Sequence, residues 1–392
     1  MTSSVKIIII GGGIAGLTCA IAALQAGLEV QVYEKRTLEG MLSGPGGIFI
    51  QRNAIAVYQK LGLDREIYAG GGTITKGGFC DRQGQPLYLN SPQFIGQSDL
   101  GACLSRPALQ TILYHRLPEG TVHTEKRCAS FAQTADGVEV TFSDGSSARG
   151  DILVGADGLY SQVRSWLHPD TEAPPIYSGL RCWRGIFNGD NISFNRDYSW
   201  GELWGIGDRF GYFKLERNRW GFYAFNSVPI DVPLSPMGSR KDILNQLFSD
   251  YGNPIPQIVD AIAEDNIYED NIYDRLPLPG SWGTDRVTLI GDAAHPVQPN
   301  IGQGGCIAIE DAYELVKFIR NTSQISQLSA ALREFEQHRS PRVEKVFATA
   351  RQIGTLGALN TPFSCGLRNW IYRLTPTWLG DLQFKWLFDY QP

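Results

Sequence analysis

The first 36 residues constrain the fold of this chain more than any other segment. The opening run VKIIII is typical of a strand buried on both faces of a parallel sheet. It leads into GGGIAG, an Ala/Leu-rich helical pattern that stops near Gly27, and a second strand pattern from Glu29 to Tyr33. A strand, a helix and a second strand in this order predict a βαβ unit, and therefore a parallel sheet with helices on its faces.

The glycines of this unit have the spacing of a dinucleotide-binding turn, GxGxxG. In such a turn Gly11 allows the tight bend, Gly13 lets the backbone approach a pyrophosphate, and Gly16 lets the helix pack on the strand. Glu34, at the end of the second strand, can accept hydrogen bonds from ribose hydroxyls. The alternative, a glycine-rich turn without a ligand, is the weaker interpretation. The predicted dinucleotide-binding residues are Gly11, Gly13, Ile14, Ala15, Gly16, Glu34, Lys35 and Arg36.

A second glycine-rich helix start lies far along the chain and helps to distinguish FAD from NAD. An apolar strand, Val287 to Ile290, runs into Gly291 and Asp292, and Gly302, Gly304 and Gly305 precede a helical pattern. A helix N terminus favours negative charge. Asp292 suits a ribityl hydroxyl, and the amides of residues 302–305 suit the pyrimidine edge of a flavin, which becomes anionic on reduction. The two ends together predict FAD.

Three motifs in this order resemble the class A flavoprotein monooxygenases related to p-hydroxybenzoate hydroxylase. Residues 291–311 are similar to that family's GD motif, and their GQGGCIAIED segment is most similar to the branch of zeaxanthin epoxidase, salicylate hydroxylase and urate hydroxylase. Residues 151–164, DILVGADGLYSQVR, resemble the DG motif. Residues 105–109, SRPAL, resemble the helix start whose arginine touches FAD. The resemblance spans residues 5 to about 320.

The resemblance implies a single-component enzyme that uses FAD, NAD(P)H and O₂ to hydroxylate or epoxidise an aromatic or unsaturated small molecule through a C4a-hydroperoxyflavin. No second GxGxxG is present, so NAD(P)H is expected to bind only transiently. Pro296, Gly302 and Gln303 are expected to position the flavin, and no other catalytic residue is assigned. The further residues assigned to FAD are Gly47, Arg106, Cys128, Asp157, Asp292, Pro299, Gly302, Gln303, Gly304 and Gly305.

Several residues near these motifs have alternative interpretations. Gln51, Arg52 and Asn53 stand where the family often has a Pro-Asn pair, which leaves a contact of Arg52 with flavin or substrate open. Asp157 and Arg164 could form a loop ion pair. His295 is better explained as a structural histidine than as an acid or base.

Residues 177–225 contain 14 aromatic side chains, among charged residues in an alternating pattern. This pattern predicts antiparallel strands with a turn near Asn218, and an aromatic face that could wall a cavity over the flavin. The resemblance to the urate hydroxylase branch adds Arg209 and Tyr223 as substrate contacts. Trp204 and Arg184 are further candidates, with an ion pair as the alternative for Arg184.

The predicted fold class is α/β: a Rossmann-like FAD-binding domain, a second substrate domain built on an antiparallel β-sheet, and a helical C-terminal tail. The FAD-binding domain is assigned to residues 1–75, 106–176 and 276–325, and the substrate domain to 76–105 and 177–275. The tail, 326–392, is expected to pack against the FAD-binding domain, with weak membrane-surface contact as a minority alternative.

Bulk composition excludes several classes of protein. The formal net charge is −5, without the basic stripe that a nucleic-acid binder needs. No apolar run is long enough to span a membrane. Seven scattered cysteines and five histidines lack metal-ligand spacing, so we expect no metal and a reducing, cytoplasmic location.

Two rival functions remain open at this point. One is a flavin-dependent reductase or dehydrogenase of the geranylgeranyl reductase kind, without oxygen transfer. The other is a non-catalytic FAD-binding protein. The substrate, the choice between NADH and NADPH, the oligomeric state and the role of the Gly70–Gly78 cluster stay undetermined by the sequence.

Overall fold

The computed structural model describes residues 5–90, 92, 96–134, 136–170, 173–195, 197–236, 238–322 and 324–392. Its first layer is a five-stranded parallel sheet, in the order β18-β12-β1-β2-β8. Residues 7–9 of its central strand are fully buried, as expected for a strand covered on both faces. The strands are β1 (Lys6–Ile10), β2 (Glu29–Tyr33), β8 (Val122–His123), β12 (Ile152–Gly155) and β18 (Val287–Leu289).

The largest sheet has seven strands, in the order β17-β13-β16-β15-β14-β5-β6, and only its β14–β5 pair is parallel. Its strands are β5 (Lys76–Asp81), β6 (Pro86–Asn90), β13 (Ile176–Asn188), β14 (Tyr198–Trp204), β15 (Asp208–Lys214), β16 (Arg219–Ser227) and β17 (Tyr268–Asp274). The turn predicted near Asn218 joins β15 to β16.

Two three-stranded antiparallel sheets complete the β structure. One contains β3 (Gly47–Gln51), β4 (Gly72–Ile74) and β7 (Gly101–Ser105), and the other contains β9 (Cys128–Thr134), β10 (Gly137–Phe142) and β11 (Ser147–Gly150). Part of the Gly70–Gly78 cluster packs closely against neighbouring backbone. A Cβ at Gly72 would lie 2.1 Å from the carbonyl oxygen of Leu215, and one at Gly78 would lie 2.0 Å from that of Tyr88.

Most helices cover the parallel sheet or form the tail, whereas the two helices within residues 240–261 pack on the large sheet. The helices are α1 (Ile14–Gln25), α2 (Leu38–Met41), α3 (Arg52–Lys60), α4 (Asp64–Ala69), α5 (Arg106–His115), α6 (Gln162–Leu167), α7 (Arg240–Phe248), α8 (Ile255–Ala261), α9 (Gly304–Arg320), α10 (Leu328–Gly357), α11 (Pro362–Leu374) and α12 (Thr377–Phe388). Short 3₁₀ turns occupy Glu264–Asn266, Gly291–Ala293, Pro299–Ile301 and Ile325–Gln327. Within the described residues, none of the helices is long and apolar enough to cross a membrane.

The C-terminal tail is helical, as predicted, but it packs on more than the parallel-sheet layer. Helix α10 packs along α9, whereas α11 and α12 both contact β6 at the edge of the large sheet. Tyr88 of β6 donates a hydrogen bond to Asp381 of α12, and Arg373 of α11 pairs with Asp81 of β5. The tail therefore bridges both layers, which the amphipathic pattern of its sequence could not show.

A buried ionic cluster fastens α10 to α9. The guanidinium of Arg339 lies 2.7 Å from the carboxylate of Glu310 and 2.8 Å from that of Asp311, and all three side chains are almost fully buried. Asp311 also accepts hydrogen bonds from the amide of Gly291 and the imidazole of His295. His295 is therefore held in a structural role, in agreement with the sequence-based interpretation.

We expect this cluster to weaken in acid. Burial opposes ionisation of Asp311, but His295 and Arg339 more than offset that effect and lower the pKa of Asp311 to about 2. Because this folded-state pKa lies below the unfolded value of about 3.9, the stabilisation is complete above pH ~4 and is lost as the pH falls toward 2. The free energy of unfolding in urea should therefore fall by about 2 kcal/mol more between pH 5 and 2.5 in the wild type than in Asp311→Asn.

The exposed Asp231→Asn variant serves as the control and should keep the pH dependence of the wild type. Parallel pH curves for the wild type and Asp311→Asn would contradict the assignment.

Candidate functional site

A cavity of about 740 Å³ lies where the carboxyl ends of the parallel strands face the large sheet. Ligands of open α/β folds bind at this edge. The parallel-sheet side supplies residues that follow β1, β2, β12 and β18, and the large sheet supplies an aromatic wall. That wall contains Phe79, Trp200, Phe213, Phe222, Tyr223 and Phe225.

The three glycines of the first turn have distinct surroundings. Gly11 has a φ of +114°, and a Cβ there would lie 2.3 Å from the carbonyl oxygen of Ala156. At Gly16 a Cβ would lie 2.0 Å from the carbonyl oxygen of Gly11, so α1 can approach β1 only with glycine at this position. A Cβ at Gly13 would meet no described atom within 4 Å, and Gly13 lines the cavity. Gly11 and Gly16 therefore shape the turn, while Gly13 leaves open space for a ligand.

The N terminus of α1 and Glu34 border that open space. Among the described residues, no side chain caps α1 at Gly13, so the helix N terminus can receive an anionic group. Glu34 accepts hydrogen bonds from the amide of Gly12 at 2.8 Å and from the Arg36 guanidinium at 2.8 Å. Burial opposes ionisation of Glu34, but these bonds and the charge of Arg36 produce a net lowering of its pKa. Lys35 and Arg36 also line the cavity.

The second glycine-rich turn lies at the same cavity. Gly302 adopts a left-handed conformation with a φ of +65°, and α9 begins at Gly304 without a side-chain cap from any described residue. Asp292 faces the cavity beside it and has no hydrogen-bond or ion-pair partner among the described residues. Desolvation by the surrounding protein raises the pKa of the Asp292 carboxyl, while the positive charge of Arg106 opposes that rise. An unpartnered carboxylate beside an uncapped helix N terminus suits a ligand with both hydroxyl and anionic groups.

Three further candidates for FAD binding lie on this cavity through different local structures. Arg106 begins α5 after the N-cap residue Ser105, and desolvation by the surrounding protein lowers the pKa of its guanidinium. The carboxylate of Asp157 accepts from the Ser161 hydroxyl and from the amide of Gln162, at the start of α6. Burial raises the pKa of the Cys128 thiol to about 12.

Not every predicted site residue reaches the cavity. Gly11, Gly13, Ile14, Ala15, Gly47, Pro299, Gly302, Gly304, Gly305, Arg184, Arg209 and Tyr223 line it, in addition to the residues described above, whereas Gly16, Pro296, Gln303 and Trp204 do not. Gln303 is buried and donates a hydrogen bond to the Gln51 side chain at 2.6 Å. Trp204 is buried and donates its indole N–H to Glu202 at 2.7 Å.

The contact left open for Arg52 is not made with the cavity. Its guanidinium donates to Gln97 at 2.8 Å and pairs with Asp99 at 3.4 Å, so it faces away from the cavity wall. The neighbouring Gln51 lines the cavity instead and donates to the carbonyl oxygen of Ile301 at 2.9 Å. For the pair Asp157 and Arg164, the structure gives each side chain another partner. Arg164 donates to the carbonyl oxygen of Ala294 at 2.7 Å, and Asp157 accepts from the amide of Gln162 at the start of α6.

Sequence reasoning missed several residues of the wall. Glu202 is one of them, and its only signal is a carboxylate inside the aromatic stretch SWGELW. Asn300 is another, in the 3₁₀ turn Pro299–Ile301 that precedes α9. Asp381, Phe384, Leu387 and Phe388 of α12 also contribute, and no local pattern indicates that a tail helix would close this cavity.

The fold and the cavity together define a flavoprotein: two glycine turns and an unpartnered carboxylate surround one elongated space. The family model described as an FAD binding domain matches residues 4–178 and 278–350. The aurachin C monooxygenase/isomerase of Stigmatella aurantiaca is 33% identical over 95% of both chains. The chloroplastic zeaxanthin epoxidase of an Oncidium hybrid cultivar is 31% identical over 91% of this chain, which spans 56% of the epoxidase.

Solved structures agree with these relatives. Klebsiella pneumoniae HpxO, in complex with FAD and uric acid, superposes with a TM-score of 0.89 at 28% identity, covering 100% of this chain and 97% of that one. The chain belongs to the class A FAD-dependent monooxygenases. These matches confirm the predicted family, fold class and FAD cofactor, and NAD(P)H is the electron donor typical of this family.

Proposed function

We propose that this monooxygenase inserts one oxygen atom into an aromatic or isoprenoid-like unsaturated small molecule held against the large sheet. The observation that carries the proposal is the single cavity, which joins the two glycine turns and Asp292 to the aromatic wall. The relatives named above act on aurachin C and zeaxanthin, and HpxO holds uric acid. A flat or unsaturated substrate is common to these proteins and suits the wall described here.

We assign the cofactor-binding roles as follows. The N terminus of α1 and the open space at Gly13 would receive the pyrophosphate, Glu34 the ribose, and Asp292 the ribityl chain. The N terminus of α9 would face the pyrimidine edge of the flavin. When bound, FAD would supply the redox chemistry between NAD(P)H and O₂. The chain binds and orients the reactants, and its tail helix α12 helps to exclude water from the cavity.

The reaction type is tested by screening phenols, purines and polyenes for substrate-stimulated NADPH oxidation under ¹⁸O₂. We expect at least one compound to stimulate oxidation and to gain one ¹⁸O atom. A reduced product without ¹⁸O would instead identify a reductase of the geranylgeranyl reductase kind. FAD retention without stimulation by any compound would favour a non-catalytic FAD-binding protein.

The domain limits given above and the cytoplasmic location also stand as proposals. Residues 76–90 supply β5 and β6 to the large sheet, which supports grouping this stretch with residues 177–275, whereas β7 pairs with β3 and β4. All seven cysteines are free thiols, which is typical of a reducing compartment.

We further propose that α11 and α12 make weak contact with a membrane surface. Their outer face exposes large apolar side chains, among them Phe363 at 82%, Trp370 at 60% and Trp378 at 56%. Of the five basic residues in residues 345–392, three are paired with carboxylates (Arg351, Arg373 and Lys385) and Arg368 is buried, so the exposed apolar side chains carry this proposal. Exposed tryptophan and phenylalanine side chains on a helix are typical of membrane-surface anchors. Because α12 also walls the cavity, such contact would bring a lipophilic substrate near its mouth.

Vesicle flotation tests the membrane contact. The holoenzyme should float with vesicles of phosphatidylcholine and phosphatidylglycerol, and the Trp370→Ser/Trp378→Ser variant should float several-fold less because two interfacial anchors are lost. The matched control, Ile230→Ser/Leu234→Ser, removes exposed apolar residues elsewhere and should float like the wild type. Equal flotation of the two variants, or a failure of the wild type to float, would refute the membrane contact.

A further inference from the structure

A buried polar cluster stands in the aromatic wall, formed by one residue from each of three adjacent strands. Glu202 is on β14, Arg209 on β15 and Tyr223 on β16, and all three line the cavity. In the sheet register Glu202 pairs with Gly211, and Gly211 pairs with Tyr223. A Cβ at Gly211 would lie 2.2 Å from the Tyr223 ring, so glycine here leaves the space through which that ring reaches Glu202.

The carboxylate of Glu202 is fully engaged by this cluster. One oxygen accepts from the Trp204 indole at 2.7 Å and from the Arg209 guanidinium at 3.2 Å. The other accepts from the Tyr223 hydroxyl at 2.6 Å. Glu202 is 3% exposed and Arg209 is 1% exposed, so each charge is compensated mainly by the other. The remaining contacts of Arg209 are neutral: the Asn300 side-chain oxygen and the Phe225 ring, 4.3 Å away.

This arrangement leaves a particular set of groups for a ligand. Because Tyr223 donates its proton to Glu202, its hydroxyl oxygen stays available as an acceptor. Burial and the charge of Glu202 raise the pKa of Tyr223 well above its usual value, so the hydroxyl stays protonated. A ligand carboxylate would find the charge of Arg209 already compensated and would be repelled by Glu202. Arg184 of β13, which is opposite Tyr223 in the sheet register, is itself paired with Asp270 at 2.6 Å.

We propose that Glu202 is a specificity-determining residue. It compensates the charge of Arg209 and orients Tyr223, so that the part of the cavity lined by these three residues selects uncharged aromatic or unsaturated substrates over anionic ones. The proposal rests on the function proposed above and narrows its substrate class. Without Glu202, the same wall would present an uncompensated buried arginine, which is a strong site for a carboxylate.

Ligand binding to the oxidised holoenzyme tests this role without turnover. The probes are 2-naphthamide and 2-naphthoate, which match in size and differ in charge, and the flavin absorbance change reports binding. We expect the wild type to bind 2-naphthamide at least tenfold more tightly than 2-naphthoate. Glu202→Gln should bind 2-naphthoate at least tenfold more tightly than the wild type does, with less than a threefold change for 2-naphthamide.

A second variant distinguishes the loss of charge compensation from a folding defect. Glu202→Gln/Arg209→Gln removes both charges of the cluster and should show the neutral preference of the wild type, since the arginine that Glu202→Gln leaves uncompensated is itself absent. FAD content and melting temperature establish that each variant is folded. A wild type that prefers 2-naphthoate, an unchanged ratio in Glu202→Gln, or no binding of 2-naphthamide would each overturn the proposal. A failure of ¹⁸O transfer would overturn the proposed function instead and leave these binding ratios unaffected.

Discussion

Replacing Asp292 with alanine should weaken FAD binding about 10- to 100-fold, because a charge-assisted hydrogen bond contributes about 1.5–3 kcal/mol. Asp292 faces the cavity without a protein partner among the described residues, and no packing contact replaces its carboxylate. A bound ligand is therefore the group that would form a hydrogen bond with this carboxylate. Titration of each apoprotein with FAD, monitored by the quenching of flavin fluorescence, gives the dissociation constants of the wild type and of Asp292→Ala.

Two comparisons sharpen this measurement. Asp292→Asn keeps the shape of the side chain and loses its charge, so it should fall between alanine and the wild type. Asp231→Asn changes an exposed carboxylate far from the cavity wall and should bind FAD like the wild type. An Asp292→Ala protein that purifies fully yellow, with unchanged affinity, would show that Asp292 does not bind FAD.

How much of the site could be read from the sequence depends on whether the signal is local. The two glycine turns were predictable because backbone geometry fixes the spacing of Gly11, Gly13 and Gly16 in a βαβ unit. The position of the tail helix α12 was not predictable. An amphipathic pattern shows that a helix has a buried face, but it does not show which surface that face contacts. Arg52 illustrates the same limit: its partner Asp99 is 47 residues away, and only the tertiary fold brings them together.

The cluster around Glu202 was hidden for a related reason. The alternating pattern of β14 predicts a strand but gives no pairing register. Only the register that places Gly211 between Glu202 and Tyr223 explains why a glycine and a carboxylate occur in an aromatic sheet. The electrostatic character of the substrate wall is therefore a property of three strands together.

The two glycines Gly13 and Gly16 should separate ligand binding from folding when each is replaced with alanine. Gly13 has an extended conformation that alanine adopts freely, with a φ of −80°, and its Cβ would enter open cavity space. Gly13→Ala should therefore change the stability of the apoprotein by less than about 1 kcal/mol. Its methyl group would obstruct the approach of the pyrophosphate, and FAD affinity should fall about 5- to 150-fold, the range given by an overpacking cost of about 1–3 kcal/mol.

Gly16→Ala should give the opposite pattern in the apoprotein. Its Cβ would lie 2.0 Å from a backbone carbonyl oxygen, which forces α1 away from β1 and costs about 3 kcal/mol or more. Urea unfolding of both apoproteins measures the difference in the free energy of unfolding. FAD titration of the folded fraction measures the difference in FAD affinity. Equal destabilisation of the two apoproteins would show that Gly13 serves packing as Gly16 does. That result would remove the open space at Gly13 from the dinucleotide site, because a position needed for packing cannot also be left free for the pyrophosphate.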